Sequence, residues 1–182
     1  MQTTLYLGAA LLVLLVIIGG FRLIVRRDYL EKGKLTPLSV ITEWIIILSW
    51  VAFTNAYLPR DWPDIHMGEG FQWVGWPLLI LGMVGTLFCL GWLGLKRSHG
   101  METNKLIRSG PYRFMRNPQI VSFGMGMIGF TLLWPSWHLL LSLLLYAALA
   151  HTMVMTEEEH LLEQYGEEYR QYCGEVPRYF IV

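Results

Sequence analysis

The stretch IVSFGMGMIGFTLLWPSWHLLLSLLLYAALAHTMVM, residues 120–155, decides the fold because it is apolar for far longer than one membrane crossing needs. A transmembrane helix requires roughly 20 mostly apolar residues. The run is interrupted at Trp134-Pro135-Ser136, where proline and serine suit a tight reversal between two helices. The stretch therefore predicts a hairpin of two membrane-spanning helices.

Three further apolar blocks of about span length precede the hairpin, at residues 5–25, 38–58 and 71–95. The chain is 54% hydrophobic and 15% charged, whereas a soluble domain has about 25% charged residues. We expect an all-α, polytopic membrane protein with about five transmembrane helices and a short cytoplasmic C-terminal helix. We interpret residues 1–182 as one domain, with three spans in 1–95 and the loop, hairpin and tail in 96–182.

The basic residues predict the orientation. Segments 26–37 and 96–117 are net positive, whereas segment 59–70 holds one arginine among three acids. By the positive-inside rule, the first two segments are cytoplasmic and the third is external. The N-terminus then lies outside and the C-terminal tail inside. Because residues 157–182 hold seven of the fourteen acids, an acidic tail and the basic loop 96–117 share one side of the membrane.

The basic loop ends in GPYRFMRNP, residues 110–118, directly before the hairpin. Pro118 disfavours helical geometry at Asn117, so a helix is predicted to begin at about Pro118. The first turn of that helix presents free N–H groups, and Arg116 lies beside it. This combination favours binding of an anion such as a carboxylate or phosphate. Ordinary positive-inside charge is the alternative interpretation.

An acidic run with tyrosines at helical spacing, TEEEHLLEQYGEEYRQY, occupies residues 156–172. The spacing places Glu158, Tyr165 and Tyr169 on one helical face. Thr156 and Glu159 would form a capping box if a new helix began there. A tail that lies on anionic lipid is usually basic, so we expect this acidic tail to fold back on the basic loop. A solvated amphipathic tail on the membrane is the alternative.

The two segments together predict a pocket at the cytoplasmic face, with arginines on one wall and carboxylates and tyrosines on the other. A ligand that suits both walls carries a carboxylate, an ammonium group and an aromatic base. S-adenosyl-L-methionine has all three, and we expect it as the cofactor. The cysteines, Cys89 and Cys173, lack metal-ligand spacing, and we expect neither a metal nor a nucleic-acid partner. The sequence leaves the oligomeric state open.

The GPYRFMRNP motif, the hairpin and the ending EEEHLLEQYGEEYRQYCGEVPR resemble the isoprenylcysteine carboxyl methyltransferase family. That family belongs to a wider group that includes the phospholipid methyltransferases. The resemblance covers residues 106–178. It implies that the Arg-Asn-Pro motif binds the carboxylate of the cofactor, that the glutamate pair binds its ammonium, and that tyrosines contact its adenosyl part. The cofactor-binding residues implied are Tyr112, Arg116, Asn117, Pro118, Glu157, Glu158, Tyr165 and Tyr169.

The sequence departs from the family pattern at two positions, since Asn117 stands where many members have His and Ile120 where many have Tyr. The segment before the glutamate pair also lacks the arginines of the eukaryotic prenylcysteine enzymes. The short chain is similar to prokaryotic members, so we expect the cytoplasmic membrane of a prokaryote. The acceptor, a lipophilic molecule arriving from the bilayer among the membrane lipids, is left open between an aminophospholipid amine, a thiol and a prenylcysteine-like carboxylate.

An amine or thiol acceptor must lose a proton, so a general base is useful. The candidate catalytic residues are His151, His99 and Glu43. Glu43 lies inside a predicted span, where an ionisable group suggests function, although it could instead reach the interface. Two other functions compete with methyl transfer. One is an NADPH-dependent membrane reductase of the sterol reductase type, which the glutamate pair disfavours, and the other is a non-enzymatic scaffold.

Overall fold

The computed structural model describes residues 2–56, 62, 65–66, 68, 70–94 and 105–180, and their regular structure is helical. Helix α1 (Gln2–Gly19) runs through a π-helical segment (Gly20–Val25) into α2 (Arg26–Lys32). The later helices are α3 (Pro37–Thr54), α4 (Gly70–Leu93), α5 (Pro118–Leu133), α6 (Trp137–Tyr165) and α7 (Glu167–Glu175), with a 3₁₀ turn at Gly110–Arg113 before α5.

Four helical stretches in the described ranges are long and apolar enough to cross a membrane, namely Gln2–Lys32, α3, α4 and α6. Helix α5 is apolar but has 16 residues, which corresponds to about 24 Å. This is less than the roughly 30 Å of a bilayer's hydrocarbon core. The all-α polytopic fold is therefore confirmed, and α5 is a short fifth member of the bundle.

The first helical stretch is longer than predicted. The sequence predicted a span at 5–25 followed by a loop, but the helix continues to Lys32 and ends at Gly33, whose φ of +65° is left-handed. Hydrophobicity marks where a helix leaves the bilayer and not where it stops, because polar residues continue a helix in water. Arg22 and Arg26 consequently lie one turn apart on a rigid helix.

The predicted helical hairpin is present, although only its second arm, α6, is long enough to span a membrane. Helix α5 begins at Pro118 as expected, and the chain reverses between α5 and α6 at residues 134–136. The Ser136 hydroxyl caps α6 by accepting from the Leu139 N–H at 3.2 Å. The predicted capping box at Thr156 is wrong, because α6 continues unbroken to Tyr165 and the Thr156 hydroxyl donates to the Thr152 carbonyl at 2.8 Å.

Helix α4 packs on α5 through glycines that let the two backbones approach. A Cβ on Gly82 would lie 2.2 Å from the Gly126 nitrogen, and one on Gly129 would lie 2.4 Å from the Leu79 nitrogen. Small residues at such crossings are the usual solution for helices in lipid. By contrast, a Cβ on Gly91 of α4 would meet nothing within 4 Å.

A polar network ties α1, α3 and α6 together at the end of the bundle opposite α7. The Tyr6 hydroxyl and His138 Nδ1 are hydrogen-bonded, and His138 Nε2 contacts the Thr54 carbonyl. The Thr54 and Ser142 hydroxyls lie 2.6 Å apart, and the Trp50 indole N–H donates to the Ser142 carbonyl at 3.0 Å. Both ring nitrogens of His138 therefore have hydrogen-bond partners within the core.

We expect Gly82→Ala to lower the free energy of unfolding by about 1–3 kcal/mol, because its methyl group would overlap the α5 backbone. Gly91→Ala on the same helix is the matched control and should leave stability unchanged or slightly raised. Thermal unfolding in detergent measures both. Equal midpoints for the two variants would contradict the close α4–α5 contact.

Candidate functional site

A charged cavity lies where the start of α5 meets the end of α6. Its volume is about 90 Å³, or about 830 Å³ when the mouth open to solvent is included. The structure brings most of the sequence-predicted cofactor residues to this cavity, and Pro118 faces elsewhere. The predicted residues that line it are Tyr112, Arg116, Asn117, Glu157, Glu158, Tyr165 and Tyr169, and they are joined by Tyr29, Leu93, Lys105, Leu106, Ile107, Gln119, His160, Leu161 and Tyr172.

The basic loop and the acidic tail meet here, as their charges predict. Arg116 Nη1 lies 3.1 Å from Glu158 Oε1, and both side chains are 11% exposed. Arg178 approaches the same carboxylate, with its Nη2 2.7 Å from Glu158 Oε2. The Glu158 carboxylate is therefore held by two arginines, and its removal would leave the nearly buried Arg116 without its anionic partner.

The three consecutive glutamates of α6 point in different directions, because successive helical residues are about 100° apart. Glu159 is bound by Arg22 and Arg26, each at 2.6 Å. Glu158 forms ion pairs with Arg116 and Arg178. In the part of the chain that the structure describes, no cation pairs with Glu157, whose negative charge is disfavoured by burial and by the carboxylates of Glu43 of α3 and of Glu158. Glu157 therefore offers the cavity a carboxylate that a ligand's cation would neutralise.

The opposite wall of the cavity is formed by donors at the start of α5. Arg116 Nε is buried without a hydrogen-bond partner among the described residues. The first-turn N–H groups of Gln119 and Ile120 have no acceptor within the helix, and the positive end of the helix dipole lies there. This wall can hold an anionic group such as a carboxylate.

Aromatic rings cover the remainder of the cavity. Tyr29 stacks on His160, with ring centroids 4.2 Å apart and planes at 14°. The Tyr172 hydroxyl donates to the Tyr112 carbonyl at 2.6 Å. Burial raises the pKa of Tyr172 to about 12 and raises the pKa values of Tyr112 and Tyr169 further. These phenols stay neutral at physiological pH, so they supply hydrogen bonds and flat apolar surfaces.

The catalytic candidates from the sequence lie in different surroundings. Glu43 is 7% exposed and interacts electrostatically with Glu157 and Tyr29. His151 is on the exposed side of α6 and does not line the cavity. His99 lies outside the described residues. Glu43 is thus the candidate that the structure brings close to the charged cavity.

A second, apolar cavity of about 590 Å³ lies between α4 and α5. Residues 110–118 separate it from the charged cavity: Tyr112 and Asn117 line the charged cavity, whereas Arg113 and Pro118 line the apolar one. Glycine is required at Gly110, with φ of +60°, because a Cβ there would lie 2.4 Å from the Trp92 ring. The wall of the apolar cavity consists of Gly85, Phe88, Cys89, Gly110, Pro111, Arg113, Phe114, Met115, Pro118, Val121, Ser122, Met125 and Phe180.

Sequence reasoning missed several residues of the charged site. Arg22 and Arg26 gave a signal in their spacing of four residues, but the predicted loop start hid it. Arg178 was visible in the Val-Pro-Arg ending without an assigned role. Tyr29 gave no signal, since its position depends on how the first helix packs against α6.

Comparison with known proteins gives a family match and one similar protein. The model of the phospholipid methyltransferase family matches residues 71–168, more than half of the chain, from α4 to the first turn of α7. The nickel-cobalt-cadmium resistance protein NccN of Alcaligenes xylosoxydans xylosoxydans is 29% identical over 140 residues. That alignment covers 75% of this chain and 62% of NccN. No solved structure matches significantly.

Proposed function

The chain belongs to the phospholipid methyltransferase family, and from that premise we propose that it transfers a methyl group from S-adenosyl-L-methionine to a lipophilic acceptor. The observation that carries the proposal is the charged cavity. The cavity contains the Glu157 carboxylate, which lacks a cation partner among the described residues. It also contains hydrogen-bond donors of Arg116 and of the first turn of α5.

The chemistry of this cavity fits the cofactor. Its amino acid end needs one anionic and one cationic contact, for which Glu157 and Arg116 are suited. Its adenine needs flat apolar cover, for which Tyr165 and Tyr169 are available. The enclosed part of the cavity, about 90 Å³, is smaller than the roughly 300–1,000 Å³ typical of small-molecule sites, so the cofactor would also occupy the open mouth. We therefore assign Glu157 to the ammonium group, since Glu158 is already bound by two arginines.

When bound, S-adenosyl-L-methionine supplies a methyl group on a positively charged sulfur, and the carbon–sulfur bond breaks as the bond to the acceptor forms. The protein contributes alignment of the two reactants and exclusion of water. Buried tyrosines cover the charged cavity, and residues 110–118 lie between the charged cavity and the apolar cavity.

The apolar cavity is the proposed acceptor chamber. It is lined by side chains of α4 and α5, among them Phe88, Val121 and Met125, and α4 carries exposed apolar side chains such as Leu87 and Phe88 that suit a lipid-facing helix. A lipophilic acceptor would enter it from the bilayer, and for in-line transfer its polar end would have to pass residues 110–118 to reach the methyl group in the charged cavity.

Binding of S-adenosylhomocysteine to the purified protein tests the cofactor assignment. We expect a measurable dissociation constant in detergent for the wild type, and binding weaker by about 10-fold or more for Glu157→Gln, because a charge-assisted hydrogen bond is lost. The exposed Glu175→Gln is the matched control and should bind like the wild type. Stabilisation by NADPH and not by S-adenosylhomocysteine would favour a reductase and refute the proposal.

Narrowing the apolar cavity should impair binding of the acceptor without affecting binding of the cofactor. We expect Val121→Trp to reduce methylation of a native lipid extract at least several-fold, because the larger ring projects into the chamber and narrows it, while S-adenosylhomocysteine affinity stays unchanged. Radiolabelled donor and separation of the extract into lipid classes give the readout and name the acceptor. Undiminished methylation by this variant would show that the acceptor binds elsewhere.

A further inference from the structure

The C-terminal segment, residues 176–180, folds back across the start of α5. The Arg116 N–H donates to the Pro177 carbonyl at 2.9 Å, and the Asn117 side-chain amide donates to the Arg178 carbonyl at 3.2 Å. Phe180 reaches the apolar cavity. The segment therefore contacts the Arg-Asn-Pro motif through its backbone carbonyls, and it contributes one side chain to the wall of the apolar cavity.

Arg178 makes the firmest of these contacts. Its Nε lies 3.0 Å from both Glu158 oxygens and its Nη2 2.7 Å from Oε2. This two-nitrogen grip fixes the plane of the carboxylate, which a single ammonium group would not do. The hydrogen bonds to Glu158 raise the pKa of Arg178 above its ordinary value.

Glu158 in turn holds Arg116. Its second oxygen, Oε1, receives Arg116 Nη1 at 3.1 Å, so the carboxylate is shared between an arginine of the cavity and an arginine of the C-terminal segment. The three groups carry one net positive charge. Without Arg178, the trio would be neutral, Glu158 could rotate, and the cavity would face two carboxylates of α6 with one arginine.

Building on the proposed function, we propose that Arg178 is a positioning residue of the cofactor site, which acts through Glu158 to orient Arg116 and to keep its wall of the cavity positive. Arg178 does not itself line the cavity. It approaches Glu158 from the outer side, where its side chain is 35% exposed against 11% for Glu158. This geometry favours a support behind the site over a plug that competes with the ligand.

The test is the affinity of S-adenosylhomocysteine, measured by calorimetry in detergent for the wild type, Arg178→Ala, Arg178→Lys and Arg170→Ala. We expect Arg178→Ala to bind about 10-fold or more weakly, since it disturbs charge-assisted hydrogen bonds. Arg178→Lys should recover part of the loss, because it restores the charge without the two-nitrogen grip. Arg170 pairs on the surface with Glu167, so Arg170→Ala should bind normally.

Two further readouts separate positioning from general loss of structure. The unliganded variants should elute and melt like the wild type, and their KM for the methyl donor should rise while the KM for the lipid acceptor stays unchanged. If Arg178→Ala does not fold, Arg178→Lys carries the test with the same expected direction. Unchanged affinity in a folded variant overturns the inference, and tighter binding overturns it in favour of a competing segment. Failure of the wild type to bind would instead refute the proposed function.

Discussion

The ion pair between Arg116 and Glu158 is the contact on which the arrangement of the site depends. It joins the start of α5 to the end of α6, two positions that the hairpin alone does not bring together because they lie at the ends of its arms. Both side chains are almost buried, so breaking the pair costs free energy, because water does not readily solvate the separated charges. The pair fixes the mouth of the hairpin, and the charged cavity, the tyrosine cover and the C-terminal segment are all built around it.

The length of α6 explains how a membrane helix supplies carboxylates to such a site. Its 29 residues extend about 44 Å, well beyond the apolar part of the bilayer, so the glutamates emerge on a rigid rod. Each glutamate then contacts different neighbours, because consecutive residues point to different sides of the helix. Glu159 fastens the first helix through Arg22 and Arg26, Glu158 fastens the basic loop, and Glu157 is left to face the cavity. The consecutive acidic run thus makes two structural contacts and leaves one carboxylate for the proposed ligand.

The sequence predicted the features that depend on local chemistry. The hairpin followed from apolar length and from the proline at its turn, the start of α5 from Pro118, and the meeting of loop and tail from their opposite charges on one side of the membrane. It did not predict which glutamate meets which arginine, because that depends on the rotation of α6 relative to helices far away in the chain. The first span and the supposed helix start at Thr156 were misjudged for one shared reason: polarity marks the edge of the bilayer, while a helix ends where a residue such as Gly33 or Gly166 allows another conformation.

An experimental structure of the protein with S-adenosylhomocysteine, determined by electron cryomicroscopy, tests the central claim most directly. The account predicts the amino nitrogen of the ligand within about 2.6–3.2 Å of the Glu157 carboxylate, its carboxylate against Arg116 and the first turn of α5, and the Arg116–Glu158 contact intact. Density for the ligand outside this cavity, or in it with the amino acid end pointing away from Glu157, would contradict the account.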